Sequence, residues 1–257
     1  MIKTILQISD CHLVYKDQEI LGVDTQASLE TVLSEVHRSN NKIDAIVATG
    51  DLAHIPKKNV YERLFETIKS FFDLPLLCIP GNHDVLSEMK KARLPMDPLN
   101  LGGWSIVWLD SHEDEATPAS VTEADEAYLI ETIEKAQGGS LLIAMHHPLF
   151  DVGSPWLDKH KIKQADRLVN IINNSPQVQS GLKIVKGFIF GHAHQEVVSN
   201  IQGLPALGCP STCFQFTPHS RSFDLSMEAP GCRILRLGTQ LESEVYRSSF
   251  AVKPVVK

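Results

Sequence analysis

The fold is decided by a stretch near the start of the chain, KTILQISDCH, which occupies residues 3–12. Residues 3–9 form a short apolar and β-branched run that predicts a buried strand, and Asp10 and His12 follow this run at once. The same order recurs at residues 43–49, where an apolar run leads into Gly50 and Asp51. Because sites in open α/β folds form outside the carboxyl ends of strands, this repetition predicts polar side chains gathered at one rim.

Further strands alternate with helices along the chain. Strands are predicted at residues 76–79, 104–109, 141–145 and 184–190, and helices through residues 29–36, 64–72, 129–133 and 168–172. Thr122 and Asp125 resemble a capping box, and residues 148–164 are predicted to form a loop. After residue 203, glycines punctuate short strands, which predicts hairpins that form a second sheet. Two packed sheets with helices outside are the predicted α/β architecture.

The chain is predicted to form one domain, because no repeat, low-complexity stretch or linker divides it. Residues 1–204 are expected to form the core that carries the polar clusters. Residues 205–257 are expected to add C-terminal strands and an appendage of the same domain. The appendage is predicted within the stretch 205–230, which is rich in proline and serine.

Composition excludes several classes of protein. The 257 residues are 43% hydrophobic and 21% charged, which suits a globular core, and the net charge of -7 disfavours a nucleic-acid polymer as partner. No apolar run approaches the roughly 20 residues that span a bilayer, and the first residues suit a strand better than a secretory signal. The five cysteines include no CxxC pair, which argues against disulfides and thiolate zinc sites. A cytoplasmic protein is expected.

Polar clusters directly follow five of the predicted strands. They are Asp10 with His12, Gly50 with Asp51, the run from Gly81 to Asp84, His146 with His147, and the run from Gly191 to His194. Each cluster alone is compatible with turn, capping or core residues. Together they repeat carboxylate, imidazole and amide groups without thiolates, which predicts a metal site.

The backbone at these clusters is expected to direct the side chains toward one site. Residues two apart on an extended chain point to the same side, so Asp10 and His12 are predicted to face one ion while Cys11 points into the fold. His192 and His194 are predicted to do the same. Glycines at positions 50, 81 and 191 are expected to permit tight turns close to an ion.

The five motifs D-x-H, G-D, G-N-H-D, H and G-H-x-H resemble, in this order, the calcineurin-like metallophosphoesterase superfamily. The match runs from Asp10 to His194. The resemblance implies a four-layer αββα sandwich of two mixed sheets flanked by helices. It also implies one metal ion held by Asp10, His12, Asp51 and His194, and a second held by Asp51, Asn82, His146 and His192. Asp51 would bridge the ions, and His147 is expected to support a ligand and not to bind.

The chemistry of such a pair is consistent with these residues. Two ions roughly 3.5 to 4 Å apart clamp phosphate oxygens and lower the pKa of a bridging water, which then attacks the phosphorus in line. Mixed oxygen and imidazole ligands suit manganese, iron or zinc and disfavour calcium. Asn82 supplies a neutral oxygen. We hypothesise that His83 protonates the departing alkoxide or contacts the phosphate, with Asp84 orienting it.

Segments outside the metal motifs are similar to the bacterial class III 3′,5′-cyclic AMP phosphodiesterases. They are residues 21–25, 156–158 and 210–213, together with Phe216, Pro218 and His219. This similarity implies hydrolysis of a cyclic nucleotide, most simply 3′,5′-cyclic AMP to 5′-AMP, and a homodimer. Gln164 falls where the family commonly has asparagine. Substrate contacts by His147, Trp156, Gln164 or His219 stay open.

Three other functions remain open at the level of sequence. A broader phosphodiesterase or phosphatase would act on 2′,3′-cyclic nucleotides or glycerophosphodiesters. A non-catalytic scaffold would have lost ligands, whereas every matching position is filled here. A nuclease would carry a basic groove or an added DNA-binding domain, and neither is evident.

Overall fold

The computed structural model describes residues 1–39, 41–112, 119–136, 138–182 and 184–255. Two large sheets and one small hairpin account for the strands in these residues. The strands are β1 Lys3–Ile8, β2 Ala45–Thr49, β3 Leu76–Ile79, β4 Leu99–Asn100, β5 Trp104–Trp108, β6 Ser140–Ala144, β7 Val185–Phe190, β8 Val197–Ile201, β9 Leu204–Gly208, β10 Gln215–Phe216, β11 Leu225–Ser226, β12 Gly231–Leu237 and β13 Leu241–Arg247. The α-helices are α1 Thr25–Arg38, α2 Lys58–Phe71, α3 Leu86–Lys91, α4 Glu123–Lys135, α5 Ala165–Asn173 and α6 Pro176–Gln179, and a 3₁₀ helix covers Asp158–His160.

The first sheet has the order β13-β12-β1-β2-β3. β1 pairs in parallel with β2 and antiparallel with β12, so that Leu6 lies between Ile46 and Ile234. The hairpin β12–β13 therefore extends the first sheet, and the expectation that the hairpins of the second half build the other sheet is wrong for this pair. The reason is burial, because residues 231–235 of β12 are all buried and a strand of this kind fits beside β1.

The second sheet has the order β4-β5-β6-β7-β9-β8. Its four central strands β5, β6, β7 and β9 are parallel, and β8 returns antiparallel beside β9. Both sheets contain parallel and antiparallel pairs and are therefore mixed. The sequence boundary drawn after residue 204 falls inside β9, since this strand runs from Leu204 to Gly208.

Side-chain alternation along β1 separates two layers of core. Leu6 and Ile8 pack in a cluster with Leu29 and Leu64 of α1 and α2. Ile5 points the other way, into a cluster with residues of both sheets such as Ile189. A third cluster packs α4 and α5 on the outer face of the second sheet. The resulting order of helix, sheet, sheet and helix confirms the predicted four-layer sandwich.

Local signals at the helix ends are also confirmed. The hydroxyl of Thr122 accepts from the Asp125 backbone N–H, and the Asp125 carboxylate accepts from the Thr122 N–H, which completes the capping box of α4. Asp24 caps α1, because its carboxylate accepts from the backbone N–H of Ala27 at 2.9 Å. None of the helices in the described ranges has the length and apolar character needed to cross a membrane.

Candidate metal centre

The predicted ligands lie at the carboxyl ends of strands from both sheets. Asp10 and His12 follow β1, Asp51 follows β2 and Asn82 follows β3. From the second sheet, His146 follows β6, and His192 and His194 follow β7. The two sheets face each other, so their strand ends meet at one rim, as the sequence predicts.

One group of donor atoms surrounds the imidazole of His194. Its Nε2 lies 3.0 Å from Nε2 of His12 and 3.3 Å from Oδ1 of Asp10. Oδ2 of Asp51 lies 3.6 Å from Nε2 of His12. The structure thus gathers the four side chains that the family resemblance assigns to one ion.

A second group of donor atoms surrounds Asn82. Its Oδ1 lies 3.2 Å from Nε2 of His146 and 3.0 Å from Nδ1 of His192. Oδ2 of Asp51 is 3.4 Å from Nε2 of His146, so this carboxylate belongs to both groups. The arrangement matches a bridging position for Asp51.

The ligand turns are strained rather than extended. Asp10, His12, Asp51, His192 and His194 have positive φ angles of 52°, 44°, 49°, 61° and 48°. The expectation of extended backbone at both His-containing pairs is therefore wrong, although both pairs still face one site. Such conformations cost about 1–3 kcal/mol per residue, and proteins keep them where function requires them.

Two glycines make the close approach possible, and at Gly50 an added Cβ would lie only 2.4 Å from Nδ1 of His146. Gly50 has a φ of +89°, which strongly favours glycine. At Gly81 the limit is space, since a Cβ would lie 2.3 Å from both the backbone nitrogen and Oδ1 of Asp51.

The electrostatics of the site favour a cation. Burial alone would raise the pKa of Asp51, but the neighbouring charge on His146 outweighs it and holds the pKa well below the ordinary range. Burial opposes protonation of His146, yet the charge of Asp51 raises its pKa to about 9. Burial lowers the pKa of His12 and of His192, which leaves neutral imidazoles able to donate electron pairs. Buried carboxylates beside neutral imidazoles suit a transition-metal ion.

Outer contacts fix the orientation of the imidazoles. Nδ1 of His146 lies 2.8 Å from the carbonyl of Thr49, and Nδ1 of His194 lies 2.8 Å from the carbonyl of Phe214. With a proton on Nδ1 alone, each Nε2 would be free for an ion, and at His146 an ion would have to displace the second proton of the charged imidazole.

His160 gives His192 the complementary contact. Nε2 of His192 lies 3.3 Å from Nδ1 of His160. This contact leaves Nδ1 of His192 facing Asn82. Sequence reasoning missed His160, because it lies in the predicted loop outside every motif. Its place two residues after the segment 156–158, which is similar to cyclic nucleotide phosphodiesterases, was the available signal.

Residues 211–213, which follow β9, contact the backbone of the Asp10 turn. Ser211 donates its hydroxyl to the carbonyl of Asp10 at 2.8 Å, and Cys213 directs its thiol to the same carbonyl at 3.2 Å. Thr212 donates its backbone N–H to the carbonyl of Ser9 at 3.1 Å. The stretch predicted as an appendage therefore packs directly beneath the candidate ligands.

His83 and Asp84 take different positions. His83 donates its backbone N–H to Oδ1 of Asp51 at 2.8 Å, and its exposed ring lies 4.9 Å from the ring of His12.

Asp84 is buried, and the hypothesis that it orients His83 does not match its contacts. Its carboxylate accepts from Tyr61 and from the backbone N–H groups of Leu52, Ala53 and Gly81. It thereby ties the Asn82 loop to the Asp51 loop.

His147 is buried next to the second donor group. Its Nδ1 lies 3.0 Å from the hydroxyl of Ser111, and its ring lies 4.7 Å from the ring of His192. Its Nε2 has no hydrogen-bond partner among the described residues. Nε2 of His146 lies 3.4 Å from Oδ2 of Asp51 and 3.2 Å from Oδ1 of Asn82, which agrees with the preference for His146 as the ligand.

A cavity of about 390 Å³ opens at the donor atoms. Its polar lining includes His83, His160 and His54, the last of which sequence reasoning also missed. Trp156 lines the cavity as well. The walls combine the ligand residues His12, Asp51, Asn82, His192 and His194 with the apolar residues Ile20, Leu21, Leu157, Phe214, Phe216 and Phe223.

Two residues that the sequence left open have partners elsewhere. Oε1 of Gln164 accepts from the backbone N–H of Val121 at 3.3 Å. His219 donates its backbone N–H to the hydroxyl of Ser154 at 3.0 Å, and its Nδ1 lies 3.2 Å from the carbonyl of Gly153. Neither residue is among those that line the cavity.

This fold and site define a class of protein. The chain belongs to the calcineurin-like phosphoesterase family, whose sequence model matches residues 3–196, and it is therefore a phosphoesterase. A purple acid phosphatase from yellow lupin seeds shares the fold, with a TM-score of 0.63 and 12% identity over 98% of this chain and 52% of that one.

More specific similarity links the chain to bacterial enzymes. It is 35% identical to the 3′,5′-cyclic adenosine monophosphate phosphodiesterase CpdA of Haemophilus influenzae, over 95% of this chain and 89% of that protein. It is also 35% identical to CpdA of Escherichia coli strain K12 over the same shares. The resemblance seen in the sequence is thus confirmed.

Proposed function

We propose that this protein hydrolyses 3′,5′-cyclic AMP to 5′-AMP at a pair of divalent or mixed-valence metal ions. The observation that carries the proposal is the pair of donor groups that share Oδ2 of Asp51, 3.6 Å from His12 on one side and 3.4 Å from His146 on the other. Similarity to cyclic AMP phosphodiesterases over nearly the whole chain supports the choice of substrate.

The residues present fit two metal ions. We assign Asp10, His12, Asp51 and His194 to one ion and Asp51, Asn82, His146 and His192 to the other. Manganese and iron suit this donor set best, and zinc is compatible with it. When bound, such ions neutralise charge on phosphate oxygens and make a nucleophile available from water near neutral pH.

The protein's own groups position the phosphodiester and complete the reaction. Asn82 brings an uncharged oxygen to the site, which limits the negative charge that an anionic substrate meets. The exposed ring of His83 projects beside the ligands in the cavity, and we assign to it the proton given to the departing 3′-oxygen. Asp84 serves this step at a distance, because it holds the loops of Asn82 and Asp51 together.

The role of His83 can be separated from metal binding. His83→Ala is expected to lower turnover of cyclic AMP by about 10²-fold, which is typical of a lost general acid, while both metals stay bound. An aryl diester with a good leaving group needs less protonation, so its turnover should fall less. Equal losses on both substrates would contradict the assignment.

We further propose that residues 1–204 and 205–257 act as one catalytic domain in a cytoplasmic protein. The support for one domain is the extension of the first sheet by β12 and β13, together with the contacts of Ser211 and Cys213 to the carbonyl of Asp10. A homodimer is proposed on the family resemblance. The net charge of -7 supports a small cyclic nucleotide over a nucleic-acid polymer.

The decisive experiment is hydrolysis of cyclic AMP by the purified protein after chelation and re-addition of manganese or iron. Cleavage that returns with the metal, and is lost in Asn82→Ala, is the expected result. If only an aryl phosphodiester is cleaved, the metal centre stands and the cyclic nucleotide assignment falls. Unchanged cleavage after complete chelation would overturn the metal-dependent mechanism.

A further inference from the structure

The cavity has a second end that metal binding does not use. Beyond the ligands, its wall is formed by Leu21, Trp156 and Phe223, with Phe216 at the boundary. These residues come from separate segments of the chain, and none of them has a side chain that ligates metal ions well. This region, which we call the apolar wall, is continuous with the candidate metal centre.

The aromatic rings at the apolar wall differ in their burial and in their neighbours. Phe216 stacks on the ring of His194 at 4.1 Å with an interplanar angle of 20°, and it is buried. The centroid of its ring lies 5.0 Å from that of Trp156 and 5.5 Å from that of Phe223, and the rings of Trp156 and Phe223 lie 5.7 Å apart. Phe223 is 43% exposed, which is high for a large apolar side chain. Trp156 and Phe223 therefore provide the accessible aromatic surface, while Phe216 joins it to the metal ligands.

Leu21, the aliphatic residue of the apolar wall, lies in a strained turn. Ile20 and Val23 exchange backbone hydrogen bonds of 3.1 and 2.9 Å around Leu21 and Gly22, whose φ angles are 53° and 76°. Positive φ at both central residues marks a type I′ turn, for which Asn-Gly is the preferred sequence. Leucine at the first position is unfavourable for folding, and such departures are typical of functional sites.

The C-terminal segment also contacts this turn, through Val255. The carbonyl of Leu21 accepts from the backbone N–H of Val255 at 2.9 Å, and a Cβ on Gly22 would lie 3.3 Å from the Val255 side chain. The C-terminal segment thus fixes the position of Leu21 at the cavity. An asparagine would satisfy the turn, so the turn itself does not explain the leucine.

We propose that the apolar wall formed by Leu21, Trp156 and Phe223 binds the nucleobase of the substrate, an inference that rests on the proposed function. A cyclic nucleotide has an anionic phosphodiester at one end and a flat aromatic base at the other. The cavity has the matching pair of surfaces, with cation-binding groups at one end and aromatic and aliphatic groups at the other. Bases bind to aromatic side chains through their faces, with about 1–3 kcal/mol lost per base on alanine substitution, which is roughly 5- to 150-fold in affinity.

The test compares two ligands that differ only in the base, 5′-AMP and ribose 5-phosphate, by calorimetric titration of the manganese-loaded protein. The wild type is expected to bind 5′-AMP about tenfold more tightly. Trp156→Ala should weaken 5′-AMP binding about tenfold and leave ribose 5-phosphate within about twofold. Phe223→Leu, which keeps an apolar group but removes the ring, should show a smaller loss for 5′-AMP alone. Tyr128→Leu, an aromatic change outside the cavity, is the matched control.

Leu21→Asn tests the strained turn independently. It should raise the thermal midpoint by about 2 °C, because asparagine suits the turn, and it should weaken only 5′-AMP binding. Equal affinity of the wild type for both ligands would overturn the base site while leaving the phosphate end intact. Equal weakening of both ligands in Trp156→Ala, or unchanged 5′-AMP binding in Leu21→Asn, would also overturn it. If neither ligand binds the wild type, the proposed function itself fails and the base site fails with it.

Discussion

The polar end of the cavity is built from strand ends, whereas the apolar end is built from connecting segments. Asp10, Asp51 and His192 directly follow β1, β2 and β7. Leu21 and Trp156 instead lie between regular elements. Strand ends are positioned by the hydrogen-bonded sheet and suit ligands that need accurate placement. Connecting segments tolerate change in sequence and suit the part of a site that distinguishes substrates.

Both ends nevertheless use left-handed backbone at residues other than glycine. At the polar end, Asp10 and Asp51 turn sharply after their strands and bring their carboxylates to the same rim. At the apolar end, Leu21 takes the same region of φ in a hairpin turn. The comparison teaches that left-handed backbone serves both kinds of chemistry at this cavity, the metal-binding end and the apolar end. The separate roles of the two ends can be tested by substitutions that affect one end only.

The largest effect is expected for Asp51→Asn, which removes the carboxylate shared by both donor groups. Hydrolysis of cyclic AMP and of an aryl diester should both fall about 10³-fold, because the metal pair contributes several kcal/mol to the transition state. Steady-state kinetics with bound metal measured by atomic absorption would check this. A loss of turnover confined to cyclic AMP would show that the two ends of the cavity do not have separate roles.

Gly81→Ala is expected to have the next largest effect. The added methyl group would meet the backbone nitrogen and Oδ1 of Asp51 at 2.3 Å, so that the carboxylate must move. A displacement of about 1 Å at a reacting centre costs about 10²-fold in turnover. Ribose 5-phosphate affinity should fall too, while the extra affinity given by the base should persist. Wild-type turnover in this variant would contradict the close packing described here.

A smaller effect is expected for His160→Ala, because His160 contacts a ligand and is not assigned as one. Loss of its 3.3 Å contact with His192 should lower manganese affinity about tenfold, measured by titration of the chelated protein. His160→Asn offers a side-chain acceptor again and should restore part of the affinity. If His160→Ala changes turnover but not metal affinity, His160 acts on the substrate and not on His192.

The smallest effect on activity is expected for Asp84→Asn, which should act on stability. An amide nitrogen would face backbone donors such as Leu52 and Gly81, at a cost of about 1–3 kcal/mol in the free energy of unfolding. Denaturant unfolding of metal-loaded protein at pH 7 would measure it, and a loss of metal binding as large as that of Asp51→Asn would contradict it.

The same variant gives a dependence on pH in chelated protein. Burial and the charge of Asp51 raise the pKa of Asp84 to about 6, from its ordinary value of 3.8. The folded state thus favours the protonated acid, and this stabilisation is complete below about pH 4 and lost as the pH rises through about 6. Asp84→Asn should remove this part of the pH dependence, and an unchanged profile would show that Asp84 does not titrate in this range.

Much of the fold could be predicted from local pattern. The strand predicted at residues 76–79 is β3 without any shift, and the box of Thr122 and Asp125 opens α4 as expected. Local pattern failed for pairing at long range, since nothing near β12 indicates that Leu235 is the partner of Ile5. It also failed for the backbone of Asp10, because sequence spacing does not reveal left-handed turns at residues other than glycine.

By itself the sequence determined the family, through motifs of a few residues, and the layered α/β class, through hydrophobic periodicity. The resemblance to the family then implied the four-layer sandwich and the residues of the candidate centre. Only the tertiary structure brought in His160 and His54, separated the task of Asp84 from that of His83, and assembled the apolar wall. Leu21, Trp156 and Phe223 are far apart in the chain and lie in no regular element. Their meeting depends on how the sheets place the connecting segments, which no local pattern records.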